Sequence, residues 1–304
     1  MKAPATTANL GPGFDCAGAA LELWNELHVS PAKTGEPIVT LEGEGVDEVP
    51  HDATHLALRA FALAAPVDGH RFHFVNRIPL ERGLGSSAAT VAAGLVAGLA
   101  VAGRDTSLED VLELGLPLEG HADNLGPALA GGVCLIWKGG GGHRLQRVAV
   151  DMPFQPIVVV PDTRVNTKQS RSRLPEFVQH DEAAAAAAQA ALLGAGIASG
   201  NADLLAAAFH DRLHEPFRAA DAPLLEELRS RPVEGSAGVT LSGSGPSVVV
   251  WARKESAAAA AAALEARLEG ALVLSLAIAG RGTHAQDESP EVAIEVAARL
   301  GATA

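Results

Sequence analysis

Alternation of apolar and polar positions is clearest in "GHRFHFVNRIP" (69–79), where His70, Phe72 and Phe74 fall on one face and Arg71, His73 and Val75 on the other. A period of two predicts a β-strand with one buried face. "EPIVTLEGEG" (36–45) has the same character and is read as a strand. The spacing changes to that of a helix in "THLALRAFALAA" (54–65), and "SAATVAAGLVAGLAVAG" (87–103) predicts a long helix of small residues. "GGVCLIW" (131–137) reads as a buried strand, and the four glycines 139–142 as a hairpin turn or flexible loop. The polar and glycine-rich stretch 3–18 shows no period and is read as a loop.

The second half opens near Asp151. "PFQPIVVVPD" (153–162) predicts a strand and "DEAAAAAAQAALLGAGIASG" (181–200) a helix. Further helices are expected at 202–213 and 222–230, then a strand through "GVTLSGSGPSVVVWA" (238–252). "ESAAAAAAALEARLEG" (255–270) closes as a helix on the strand "ALVLSLAIA" (271–279), with one more short helix expected at 290–300. The alanine runs carry spaced Leu or charged residues, and alanine is the best helix former, so they are read as closely packed helices and not as linkers. There is no clear internal repeat. Strands and helices alternate in both halves, which predicts an α/β (α+β) fold.

A chain of 304 residues exceeds one ordinary core and suits two packed domains, here 1–150 and 151–304. No uninterrupted apolar stretch reaches the roughly 18 residues of a membrane span, and "MKAPATTANLG" lacks the order of a signal peptide, so a cytoplasmic protein is expected. Cys16 and Cys134 form neither a disulfide framework nor a metal-like spacing and are expected as buried free thiols. With 23 basic against 36 acidic residues, the net charge of −13 argues against nucleic acid or an anionic membrane as partner. It does not exclude an anionic small ligand, since local amides and a metal ion can outweigh global charge.

The chemistry concentrates in "RGLGSSAATVAAG" (82–94). First-turn N–H groups of a helix have no internal partner and carry the positive end of its dipole. Glycines ahead of them permit a tight turn and close approach of a phosphate, and serine hydroxyls can cap the helix or touch phosphate and magnesium. No lysine follows the glycines, so this is not a Walker A loop, nor is it the dinucleotide fingerprint. A serine-capped helix after a glycine turn is the plain alternative. Two other stretches change the balance: "APATTANLGPGFDCAG" (3–18) holds one acid, Asp15, and "EGHADNLGPALAGG" (119–132) crowds Glu119, His121, Asp123 and Asn124 together. "LSGSGPSVVVWA" (241–252) adds a second Gly-Ser turn, read either as a structural turn or as backbone brought to the site.

Together these stretches resemble the GHMP kinase superfamily, and the first narrows the resemblance to its homoserine kinase branch. "PATTANLGPGFDCAGAAL" (4–21), "PLERGLGSSAATVAAG" (79–94), "EGHADNLGPALAGG" (119–132), "NTKQSRSRLP" (166–175), "HEPFR" (214–218) and "SGSGPS" (242–247) are similar to that branch's blocks, in its order. "GLGSSA" marks only the superfamily. Thr6 stands where the mevalonate and isoprenoid branches carry a lysine. The resemblance implies an N-terminal α/β domain with a left-handed βαβ unit and a C-terminal ferredoxin-like domain, with the site between them. It implies transfer of the γ-phosphoryl group of ATP to the side-chain hydroxyl of L-homoserine, a step of threonine biosynthesis, with Mg2+. Relatives of this kind are often homodimers.

Residue by residue, the resemblance assigns Pro79, Leu80, Glu81, Arg82, Gly83, Leu84, Gly85, Ser86, Ser87, Ala88 and Ala89 to the phosphate loop. Ser87 and Glu119 would hold the metal, with Glu113 an alternative acid. Asn9, Asp15, His121, Asp123 and Asn124 would line the amino-acid pocket, Asp15 suiting the ammonium group and Arg171 and Arg218 the carboxylate. Without the resemblance either arginine reads equally well as an exposed surface ion pair. Asp123 and Asn124 would orient the hydroxyl, and whether Asp123 acts as a base stays open. Only Met1 and Lys2 precede the first block, where relatives carry an edge strand, so either that strand is shortened or the start lies upstream. Ala122 stands where many relatives have proline. Competing readings are a related kinase for another small alcohol, such as shikimate or a mevalonate-like acid, and a catalytically silent binding protein of the same fold.

Overall fold

The computed structural model describes residues 1–32 and 39–285. Its first sheet is built on strands β1 (Lys2–Ala8), β2 (Ala17–Pro31), β3 (Val39–Gly43), β4 (His70–Asn76), β5 (Val133–Gly139) and β6 (Gly142–Ala149). The order is β3-β4-β2-β5-β6, with β1 paired antiparallel to β2. β3 and β4 are parallel, joined by a crossover that contains helix α1 (Leu56–Ala62). Phe72 and Phe74 of β4 are buried, as their alternation predicts. Helices α2 (Ser86–Val101), α3 (Leu108–Glu119) and α4 (Ala122–Ala130) follow β4. β5 and β6 are linked by a two-residue turn at Gly140 and Gly141, and β5 runs from the buried Val133 and Cys134 to the exposed Trp137.

The expected loop at 3–18 is corrected by the structure. Residues 3–8 form most of β1 and are buried at every position. Small Ala and Thr side chains lie on both faces with α2 and α4 packed against the strand, so no polar-apolar alternation exists to betray it. The loop proper is confined to residues 9–16. Helices α3 and α4 had no assignment from the pattern, since Pro117 and Pro127 with Gly115 and Gly126 interrupt their helical signal.

The second sheet comprises β7 (Phe154–Val160), β8 (Ser236–Leu241), β9 (Val248–Arg253) and β10 (Leu272–Ser275) in antiparallel order β10-β7-β9-β8. Between β7 and β8 lie α5 (Thr167–Ser172), α6 (His180–Ser199), α7 (Ala202–Ala208), α8 (Glu215–Arg218) and α9 (Pro223–Ser230), and between β9 and β10 lies α10 (Ala257–Arg267). That order is the ferredoxin-like split β-α-β arrangement. The single strand expected at 238–252 is two strands, because Gly-Ser-Gly-Pro turns the chain: Ser242 N–H donates to Ser247 O at 2.9 Å and Gly245 N–H to Ser242 O at 2.8 Å. The helix expected at 202–213 stops at Ala208, and the Asp211 carboxylate then takes the N–H groups of Leu213, His214 and Glu215 to start α8. The helix expected at 290–300 lies outside the described residues.

One apolar core joins the sheets. Trp251 stacks on Phe209 with ring centroids 5.3 Å apart, and the same cluster runs through Leu10 and Phe154 to Leu21 and Phe72. After β10 the chain returns to the first sheet, where Ile278 bridges to Leu21 and His284 to Lys2. Both cysteines are free, with Cys134 buried and Cys16 partly so. Among the described residues no helix is long and apolar enough to cross a membrane.

Candidate active site

A cleft of about 690 Å³ lies where the two sheets meet, lined from Pro79 through Ser87, by Glu119 to Asn124 except Gly120 and Ala122, and by Asn9, Asp15, Arg171 and Arg218. Ala88 and Ala89 do not line it. Both are fully buried beneath the turn, and Ala89 N–H already donates to Gly85 O at 2.9 Å. Gly85 caps α2 with φ +63° and no side-chain hydrogen bond, so the first N–H groups of a 16-residue helix face an uncapped turn. A Cβ on Gly85 would stand 1.9 Å from Thr6 Oγ1, and one on Gly83 2.2 Å from Ser242 O. Positions 83 and 85 therefore tolerate only glycine, and both line the cleft.

Ser87 Oγ donates to Glu119 Oε2 at 2.5 Å. The Glu119 side chain is 4% exposed and also accepts from His121 Nδ1 at 3.3 Å, a contact that holds the His121 pKa above its ordinary value. Glu113 points elsewhere: it accepts from His143 Nδ1 at 2.9 Å and does not line the cleft. A serine hydroxyl and a carboxylate side by side are hard oxygen donors suited to magnesium. No cluster of three or more His, Cys, Asp or Glu among the described residues forms a protein-only metal cage.

Asp123 and Asn124 open α4. Asn124 Oδ1 accepts from Thr6 Oγ1 at 2.8 Å, tying α4 to β1 directly below the Gly85 turn. Asp123 is 4% exposed, and burial, reinforced by the nearby Asp15 charge, pushes its pKa up to about 7.

At the far end the 9–16 loop is strained. The described non-glycine residues with positive φ are Asn9, Leu10, Asp15 and Glu81, and all but Leu10 line the cleft. Such residues persist only where the surroundings enforce them. Asn9 Oδ1 accepts from Asp15 N–H at 3.0 Å and its Nδ2 donates to Gly243 O at 3.1 Å, fixing loop to turn. Asp15 and Arg171, expected to take opposite ends of a substrate, pair with each other in a bidentate ion pair. Arg218 is 3% exposed, and burial lowers its pKa from the ordinary value. Among the described residues no carboxylate lies within 4.0 Å of it.

The pattern also passed over residues the structure brings here. His55 is buried, caps α1 by accepting from Ala57 N–H at 3.2 Å, and stacks near Phe74, with its pKa lowered to about 4 by burial. With Glu48, Val49, Pro50 and Asn76 it lines the end of the cleft beyond Leu80. A histidine in a helix-like run carried no sign of this, since only the β3–α1–β4 crossover brings it there. The 242–247 turn is the other arrival: Ser242 Oγ donates to Gly83 O at 2.6 Å, and Gly243 and Ser244 line the cleft.

The glycine turn at the start of α2, the Ser87–Glu119 pair and the charged cluster of Asp15, Arg171 and Arg218 all open onto this one cleft. The family description "GHMP kinases N terminal domain" matches residues 52–132, and "GHMP kinases C terminal" matches 190–270. A homoserine kinase of Synechococcus sp. is 38% identical over 300 residues, covering 94% of this chain and 97% of the relative. One of Streptomyces avermitilis is 40% identical over 269 residues, covering 84% and 86%. The crystal structure of homoserine kinase from Cytophaga hutchinsonii superposes with a TM-score of 0.81 at 26% identity, covering 93% of this chain and 96% of that one. The chain belongs to the homoserine kinase family of the GHMP kinases.

Proposed function

We propose that the protein is an ATP:L-homoserine phosphotransferase: the γ-phosphoryl group of ATP passes to the side-chain hydroxyl of L-homoserine, giving O-phospho-L-homoserine and ADP in threonine biosynthesis. One observation carries the reading. The bare helix start at Gly83–Ser87 and a pocket holding an acid and two guanidinium groups open onto the same cleft, with Asp123 and Asn124 also on its wall.

Phosphoryl transfer asks little covalent chemistry of a protein; positioning and neutralisation of spreading negative charge dominate. The N–H groups of the Gly83–Ala88 turn and the α2 dipole face the phosphates. Ser87 and Glu119 would hold Mg2+, which when bound would draw charge from the phosphate oxygens. Asp15 takes the ammonium group of homoserine while Arg171 and Arg218 take its carboxylate, the substrate replacing the ion pair that Asp15 and Arg171 make with each other. Asn9 and Asn124 supply neutral contacts, His121 lines the same pocket on its Glu119 partner, and Asp123 with Asn124 orients the hydroxyl. With a pKa of about 7, Asp123 can also accept the hydroxyl proton late in the transfer. Thr6 in the place where the mevalonate branches carry a lysine, together with Arg171 and Arg218, favours an amino-acid acceptor over a mevalonate-like acid. A cytoplasmic enzyme, as a homodimer, completes the reading.

ADP release with Mg2+ and ATP tests it against L-homoserine, D-homoserine, shikimate, mevalonate and no acceptor. Turnover with L-homoserine alone, lost in Ser87→Ala, is expected. Turnover with another acceptor only overturns the pocket assignment, and ATP binding with no turnover on any acceptor favours a silent binding protein.

A further inference from the structure

Arg171 and Arg218 come from α5 and α8, and nothing in either helix explains why two like charges converge at the end of one cleft. Their common neighbour is Phe14. The Arg171 guanidinium carbon stands 5.6 Å from the Phe14 ring centroid and that of Arg218 5.5 Å, both within cation–π range. The His214 ring stacks on the same phenyl ring at 5.0 Å and 21°.

His214 is fully buried and its hydrogen bonds fix its tautomer. Gly11 O can only accept, so Nε2, at 2.9 Å, carries the hydrogen. Arg218 Nη1 can only donate, so Nδ1, at 3.1 Å, offers its lone pair. Arg218 Nη1 also donates to Gly243 O at 3.3 Å, while its Nε has no partner. The guanidinium is thus gripped by two uncharged acceptors and left with unused donors. A buried cation with that deficit gains most from an incoming carboxylate. Asp15 is the acid bound to Arg171, so the trio of Asp15, Arg171 and Arg218 carries one positive charge in excess. Gly11, Phe14 and Asp15 all belong to the strained loop of residues 9–16, which links this arrangement to the "GPGFD" motif in the sequence.

We propose that Phe14 and His214 are positioning residues that set the two guanidinium groups for one carboxylate and thereby make the enzyme select an α-amino acid alcohol over the same alcohol without its carboxylate. This inference rests on the proposed homoserine phosphorylation. Neither residue lines the cleft; both act through the arginines.

The test compares L-homoserine with 3-aminopropan-1-ol, which is homoserine lacking the carboxylate, in wild type, Phe14→Leu, His214→Leu and His214→Gln. Gln can accept from Arg218 and donate to Gly11 O as His does. Phe14→Leu and His214→Leu are expected to raise KM for L-homoserine about tenfold or more, with KM for ATP held within about twofold, so that the preference for homoserine over 3-aminopropan-1-ol collapses. His214→Gln is expected to restore most of that preference. Should His214→Leu fail to fold, Phe14→Leu, which alters a partly exposed ring, and His214→Gln decide the matter. If Phe14→Leu leaves both KM and the preference at wild-type values, the positioning role is overturned while the kinase reading stands. If both KM values rise together, the residues are structural and the proposal also falls. A wild type that leaves L-homoserine unphosphorylated overturns the functional reading, and this proposal with it.

Discussion

Asp123 shows how a single residue joins chemistry to stability. Its folded pKa of about 7 stands well above that of an unfolded aspartate, so between roughly pH 4 and 7 the folded chain holds a proton that the unfolded chain has lost. Stability from this group therefore falls as pH rises across that window and levels off above it. Asp123→Asn removes the penalty, and thermal unfolding should find the variant no different near pH 4 and more stable above pH 7, by at most about 4 kcal/mol. Activity should move the opposite way. Wild-type kcat is expected to decline as pH drops below about 7, and Asp123→Asn to lose about 100-fold in kcat together with that limb. A variant that retains kcat and the limb would remove Asp123 from the chemistry. At this scale the sequence was informative where polar residues crowd a short stretch, as at Glu119–Asn124. It was silent on Thr6 beyond its not being lysine, and on His55 and His214, because each earns its place through a partner more than a hundred residues away or through a crossover.

Among elements, α2 and the turn before it matter most. Gly85 needs both its left-handed backbone and the space of its absent side chain, since Thr6 Oγ1 occupies where a Cβ would go. Gly85→Ala should cost about 1–3 kcal/mol in backbone strain, more if Thr6 cannot give way, and should raise KM for ATP more than KM for homoserine. Equal changes in both KM values would place the phosphates elsewhere. The strand and helix periods of β4 and α1 were legible because each has one buried face and one exposed or polar one, whereas α2, buried almost all round, showed only as a long run of small helix-forming residues. β1 was hidden because it is buried on both faces by residues as small as Ala and Thr, and β8 and β9 merged because their turn, though spelled out in Gly, Ser and Pro, lies between two apolar runs.

For the whole molecule, the question is what holds the two sheets in register around the cleft. Ser242 Oγ lies between Thr7 Oγ1, at 3.0 Å, and Gly83 O, at 2.6 Å, while Gly243 N–H reaches Ala8 O at 3.2 Å. Ser242→Ala leaves buried oxygen atoms of the first sheet and the phosphate turn without their partner. It should lower stability by about 1–3 kcal/mol and weaken ATP binding. Unchanged ATP affinity would mean that the Gly83 turn is held without this contact. Alternation of strands and helices foretold two mixed units, but hydropathy does not say which surfaces meet, and the return of residues 277–285 to the first sheet had no local signature. Where the γ-phosphoryl group goes is read directly by 31P NMR of the enzyme with Mg2+, ATP and L-homoserine. The expected result is loss of the ATP γ resonance with matching growth of a phosphomonoester signal coupled to the homoserine γ-methylene. Release of inorganic phosphate alone, or no reaction in folded protein, would contradict it.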